Sequence, residues 1–181
     1  MSNLKNEIIN KIIEVEGGYV NDFNDSGGET KYGITKNTAQ RYGYTGLMVD
    51  MPKDIAYQIY ENEFWDKLNL SLVEVLSTKI AEELADTGAN TGIIQASKFL
   101  QRSLNVLNNK QKYYNDLTVD GEIGSMTVNA LRQYLSVRGK EGEEVLYKML
   151  NSLQGAFYIE LAEHREKDEK FIYGWFRNRI A

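Results

Sequence analysis

The apolar residues Leu4, Ile8, Ile9, Ile12 and Ile13 recur at helical spacing and predict a first helix reaching Glu16. Gly17-Gly18 stops it, glycine being suited to the left-handed cap position. The apolar period then vanishes, and five of the chain's 15 glycines fall between Gly17 and Gly33. That density marks backbone needing positive φ or close approach by another group. A short hairpin is expected around Tyr32 to Thr35, and Thr35 caps a short helix running to about Arg41 and closed by Gly43. Asp50-Met51-Pro52 opens another helix, with Ile55, Ala56, Ile59, Tyr60 and Phe64 as its buried stripe.

Ser77 or Thr78 caps a segment carrying Ile80, Leu84 and Ala85, and the pattern breaks at Gly88-Ala89-Asn90-Thr91-Gly92. The next helix carries Ile93, Ala96, Phe99, Leu100, Leu104 and Leu107. A polar loop over 108–116 and a turn at Val119-Asp120-Gly121 lead to a helix capped by Ser125. Gly139 to Gly142 separates this from a long helix with Leu146, Leu150, Leu153, Phe157 and Leu161. A charged stretch from His164 to Lys170 precedes Phe171, Trp175, Phe176 and Ile180. The pattern predicts a mainly α protein with a small β element near its start. The break at 86–92 divides it best, giving lobes 1–87 and 88–181.

Composition narrows the chemistry. With 42% hydrophobic and 26% charged residues the 181-residue chain is globular and long enough for a sizeable core. No run approaches the roughly 18 apolar residues of a spanning helix, so no membrane insertion is expected. Met1 to Val15 shows no signal-peptide core, which predicts export by another route. Cysteine is absent and His164 is the single histidine, which excludes disulfides, thiolate nucleophiles and multi-histidine metal sites. No metal or cofactor is expected. A net charge of −5 argues against nucleic acid as a partner. Chemistry is therefore expected to run on carboxylates.

Glu16, Asp25 and Thr30 stand out in the glycine-rich stretch. Glu16 follows Ile12 and Ile8 in helical phase, which predicts a carboxyl on the apolar face. Desolvation and the negative end of the helix dipole would both favour its neutral form. Asp25, among Gly, Ser and Asn, is expected to be solvated and ionised. Two carboxyls in contrasting environments can separate a general acid from the group that activates water. The same residues also fit blander readings: Glu16 as a surface residue of a last helical turn, Asp22 and Asp25 as turn formers. Asp22-x-Asn24-x-Ser26-Gly27 matches the first half of a calcium loop, but the closing carboxylate position is Gly33.

Glu16-Gly17-Gly18-Tyr19, Asn21-Asp22, Asp25-x-Gly27-Gly28-x-Thr30 and Tyr32-Gly33-Ile34-Thr35 together resemble the signature of glycoside hydrolase family 108. Its members are N-acetylmuramidases, among them phage endolysins and secretion activators. The resemblance continues through Ile59-Tyr60, Phe64-Trp65, Asp86 and Asn90-x-Gly92. Phe99-Leu100-Gln101-Arg102, Val119-Asp120-Gly121-x-Ile123-Gly124, Gly174-Trp175 and Arg177 resemble the type 3 peptidoglycan-binding domain that accompanies the catalytic half. Phe23 and Thr91 depart from the common proline and histidine at those places.

The resemblance implies a lysozyme-like fold of two helical lobes with the cleft between them. It implies Glu16 as general acid, with Asp25 and Thr30 holding the attacking water as in phage-type lysozymes. There the Thr lies one residue further from the Asp. Tyr19, Asp22, Tyr32 and Asn90 are candidate substrate contacts; Asn90 fits equally a left-handed turn. The expected reaction is hydrolysis of the β-1,4 bond between N-acetylmuramic acid and N-acetylglucosamine, on the cell wall. Expected partners are glycan strands and stem peptides, and the protein is expected to be a monomer. The alternatives are a lytic transglycosylase and a non-catalytic peptidoglycan-binding secretion accessory.

Overall fold

The computed structural model describes residues 3–21 and 28–180. The chain forms two compact units, Met1–Asp66 and Lys67–Ala181.

In the first unit, α1 (Asn3–Glu16) buries Ile9 and Ile13. Gly17 ends it at φ 75°, its N–H bonded to the Ile13 carbonyl at 3.2 Å. This is the left-handed cap that the Gly-Gly pair predicts. Three two-residue strands follow: β1 (Tyr19–Val20), β2 (Thr30–Lys31) and β3 (Ile34–Thr35). They form an antiparallel sheet with Val20 opposite Thr30 and Thr30 opposite Thr35. Thr35 caps α2 (Lys36–Arg41), its hydroxyl accepting the Thr38 N–H at 3.2 Å. After a 3₁₀ turn at Met48–Asp50, α3 (Lys53–Tyr60) runs into a π-helical turn over Glu61–Asp66. Ile9, Ile13, Ile34, Ala39, Met48, Met51, Ala56, Ile59 and Trp65 make the core of this unit.

The second unit holds α4 (Leu70–Leu76), α5 (Thr78–Thr91), α6 (Ile93–Leu107), α7 (Ser125–His164) and α8 (Glu169–Arg179). Ser77 caps α5 by accepting the Ile80 N–H at 3.0 Å. The expected break at Gly88 does not occur: α5 runs through it and ends at Gly92, φ 89°. Gly88 is buried, and the last turn is held by side chains: Asn90 donates to the Asp86 carbonyl at 2.7 Å and Thr91 to the Thr87 carbonyl at 2.8 Å. In α7 the expected separation is present as a kink, Gly139 having φ 57° and ψ −147°. Tyr134 spans the kink by donating to the Gly142 carbonyl at 2.8 Å.

Candidate active site

The local chain path around Glu16 is set by two glycines. Gly17 turns the chain out of α1, and its carbonyl accepts the Tyr32 N–H at 3.1 Å. Tyr32 itself sits at φ 53° and Gly33 at φ 72°, so the β2–β3 turn folds back against the end of α1. A Cβ on Gly33 would lie 2.7 Å from Glu16 Oε2, 3.0 Å from Glu16 Cγ and 2.9 Å from the Tyr60 hydroxyl. The Glu16 carboxylate therefore rests on bare backbone, with the end of α3 beside it. Tyr60 donates its hydroxyl to the Tyr32 carbonyl at 2.9 Å. Burial, and after it the nearby Glu16 charge, push that hydroxyl up to about 12.

Glu16 is exposed, and the apolar-face expectation needs correction. The buried face of α1 ends at Ile13, and beyond Glu16 come two glycines with no side chains to cover it. An acid that must reach a substrate oxygen needs that access.

The other candidates fall into three groups. Thr30 is half-buried in the central strand and shares a sheet face with Val20 and Thr35, opposite the buried Ile34. Tyr19 and Tyr32 lie in the same unit. Tyr19 donates to Glu29 Oε1 at 2.9 Å, which raises its hydroxyl, and Glu29 also pairs with Lys36 at 2.9 Å. Asp22 and Asp25 lie outside the described residues. Asn90 belongs to the second unit, where it is helical; besides bonding the Asp86 carbonyl, it accepts from Arg179.

Two features escape the sequence reading. Tyr60 reads there as a stripe or rim residue, whereas its hydroxyl ties the end of α3 to the Tyr32 carbonyl, with Glu16 near by. Glu83 was not singled out, yet it is buried in α5, accepting from Thr87 at 3.3 Å. Burial first, and the Asp86 charge second, push its carboxyl up to about 7. Its signal was present in the spacing, since Glu83, Asp86, Thr87 and Asn90 share one helical face.

The second unit also joins two motif stretches. Buried Gln101 donates to Asp120 Oδ1 at 2.7 Å and to the Glu122 carbonyl at 2.9 Å, and accepts the Gly121 N–H at 3.0 Å. One amide thus pins the Asp120-Gly121 turn beside a cavity of about 270 Å³.

Residues 9–92 match the family described as Glycosyl hydrolase 108. That match takes in most of the N-terminal half. Residues 95–180 match a second family, described as Predicted Peptidoglycan domain. Among solved structures, that of Brucella abortus SagA is similar at a TM-score of 0.61 and 22% identity, over 94% of this chain and 86% of that one. No curated protein matches in sequence. The mainly α, lysozyme-like fold is as expected, and the two domains together support glycoside hydrolysis of peptidoglycan.

Proposed function

We propose that the protein is an N-acetylmuramidase, hydrolysing the β-1,4 bond between N-acetylmuramic acid and N-acetylglucosamine with Glu16 as general acid. The observation that supports this is a solvent-accessible carboxyl fixed at a helix end, resting on Gly33 inside a glycosyl hydrolase 108 domain. Glu16 protonates the glycosidic oxygen as the bond to the anomeric carbon breaks. Asp25 orients and deprotonates the attacking water, with Thr30 as a second hydrogen-bond partner, and the anomeric carbon inverts. Tyr19, Asp22 and Tyr32 contact the sugar chain. The catalytic part spans residues 9–92 and the wall-binding part 95–180, in place of a division at 87/88 that would cut α5, and the protein works as a monomer. The enzyme acts on the cell wall, and no helix among the described residues is long and apolar enough to cross a membrane.

The test is digestion of purified sacculi by wild type and Glu16→Gln, with mass spectrometry of the muropeptides. Wild type gives products that have gained water at muramic acid. Glu16→Gln lowers turnover at least about 100-fold with folding intact. Anhydromuramic ends would assign a transglycosylase instead, and equal activity of the two proteins would leave only a binding accessory.

A further inference from the structure

The second unit holds a cavity that the hydrolytic reading does not use. It has about 270 Å³, and the residues lining it fall within 101–127, inside the stretch that matches the Predicted Peptidoglycan domain. Its walls mix two kinds of group. Leu117 and Met126 are apolar, Asp116, Asp120 and Glu122 bring carboxyls, and no lysine, arginine or histidine lines it. The walls are fixed before any ligand arrives. Gln101, buried in α6, grips the Asp120-Gly121 turn. Gly121 stands at φ 88°, so close to α6 that a Cβ there would lie 2.7 Å from Ile94 Cγ2.

The carboxyls differ in what they already hold. Asp120 Oδ1 accepts from Gln101 at 2.7 Å and from the Glu122 N–H at 2.9 Å, and these donors keep its carboxyl below the usual range. Glu122 is exposed, and its carboxyl has no hydrogen-bond or ion-pair partner among the described residues. Met126, 68% exposed, offers a flexible apolar surface to methylene groups. An alkyl chain ending in an ammonium matches both kinds of wall. Size and charge then choose between the parts of peptidoglycan. The cavity falls below the roughly 300–1,000 Å³ that a drug-sized ligand fills, so it admits one side chain and not a disaccharide. The glycan strand, its amines acetylated, has no cation to offer. Resting on the wall-binding reading of this domain, we propose that the cavity recognises the stem peptide, taking the primary amine of its diamino acid with the carboxyls and its methylenes with Leu117 and Met126.

The test is calorimetric titration of the full chain with a synthetic stem tetrapeptide that has a blocked N-terminus and lysine as its diamino acid. The same peptide acetylated on the lysine amine is run beside it. Neither carries sugar, so the hydrolytic site does not enter. The free amine should bind at least about tenfold tighter than the acetylated peptide, as a hydrogen bond to a charged group gives. Glu122→Gln, checked for folding by circular dichroism, should lose most of that difference. Equal affinity of wild type for the two peptides, no binding of either, or an undiminished preference in Glu122→Gln each overturns the proposal. Glu16→Gln should bind the free-amine peptide as wild type does. If the preference is present but Glu16→Gln still digests sacculi, the acid assignment falls and this site stands. If the preference is absent while Glu16→Gln is inactive, this site falls and the acid assignment stands.

Discussion

Replacing Gly33 by alanine separates the two tasks this glycine performs. The first is conformational: φ is 72°, and a β-carbon there strains the backbone by about 1 kcal/mol. The second is spatial, because the new methyl would lie 2.7 Å from Glu16 Oε2 and 2.9 Å from the Tyr60 oxygen. Tyr60 is tethered to Tyr32, so the Glu16 side chain is the one that yields. The expected stability loss is about 1–2 kcal/mol, or roughly 2–8 °C in Tm for a chain of this size. The carboxyl, displaced by about 1 Å, should lose about 100-fold in turnover. Gly43→Ala is the control, since Gly43 has φ 84° with nothing within 4 Å of the added carbon. It carries the strain without the clash. Thermal melts and sacculus-clearing rates of both variants give the comparison. If Gly33→Ala melts like Gly43→Ala and clears sacculi at the wild-type rate, the seat on Gly33 is irrelevant to Glu16 and the reasoning is refuted.

Two other outcomes follow from the second unit. Glu83 keeps its proton to about pH 7 when folded, whereas the unfolded group loses it near its ordinary value of 4.5. Between those values the native state binds more protons than the unfolded one. Stability therefore falls as pH rises through this window, by roughly 3 kcal/mol at most. Glu83→Gln should flatten that slope in urea melts at pH 5 and pH 8, and an unchanged slope would sink the assignment. Gln101→Ala leaves the Gly121 N–H and the Asp120 turn without their amide partner and should cost about 2 kcal/mol in urea unfolding. A loss under about 0.5 kcal/mol would show that the turn holds itself.

Much of the architecture was legible because local signals and packing agree. Gly17 takes the left-handed cap that the Gly-Gly pair announces, Thr35 and Ser77 cap the helices they precede, and Gly139 kinks the long helix. Gly88 misled because a single glycine weakens a helix without stopping it, and the buried surface of α5 outweighs that penalty. Glu16 was legible as a candidate, but its exposure was not. Helical phase says which way a residue points and nothing of whether a neighbour exists to cover it. The Tyr60 contact joins positions 28 residues and more apart in sequence, through a carbonyl that local pattern cannot aim.

The π-helical turn at Glu61–Asp66 has a consequence for anyone engineering this segment. Helical spacing from Ala56 and Tyr60 reaches Phe64, and the wider turn buries Trp65 as well, so two successive aromatic side chains face the core. The wider turn holds one residue more than an ordinary one at the end of this helix. Forcing ordinary α geometry on the same residues would rotate Trp65 away from its site, whereas deleting one residue ahead of it would restore the α turn with Trp65 still in phase. Within these six positions the length of the chain is as much a specification as its spelling.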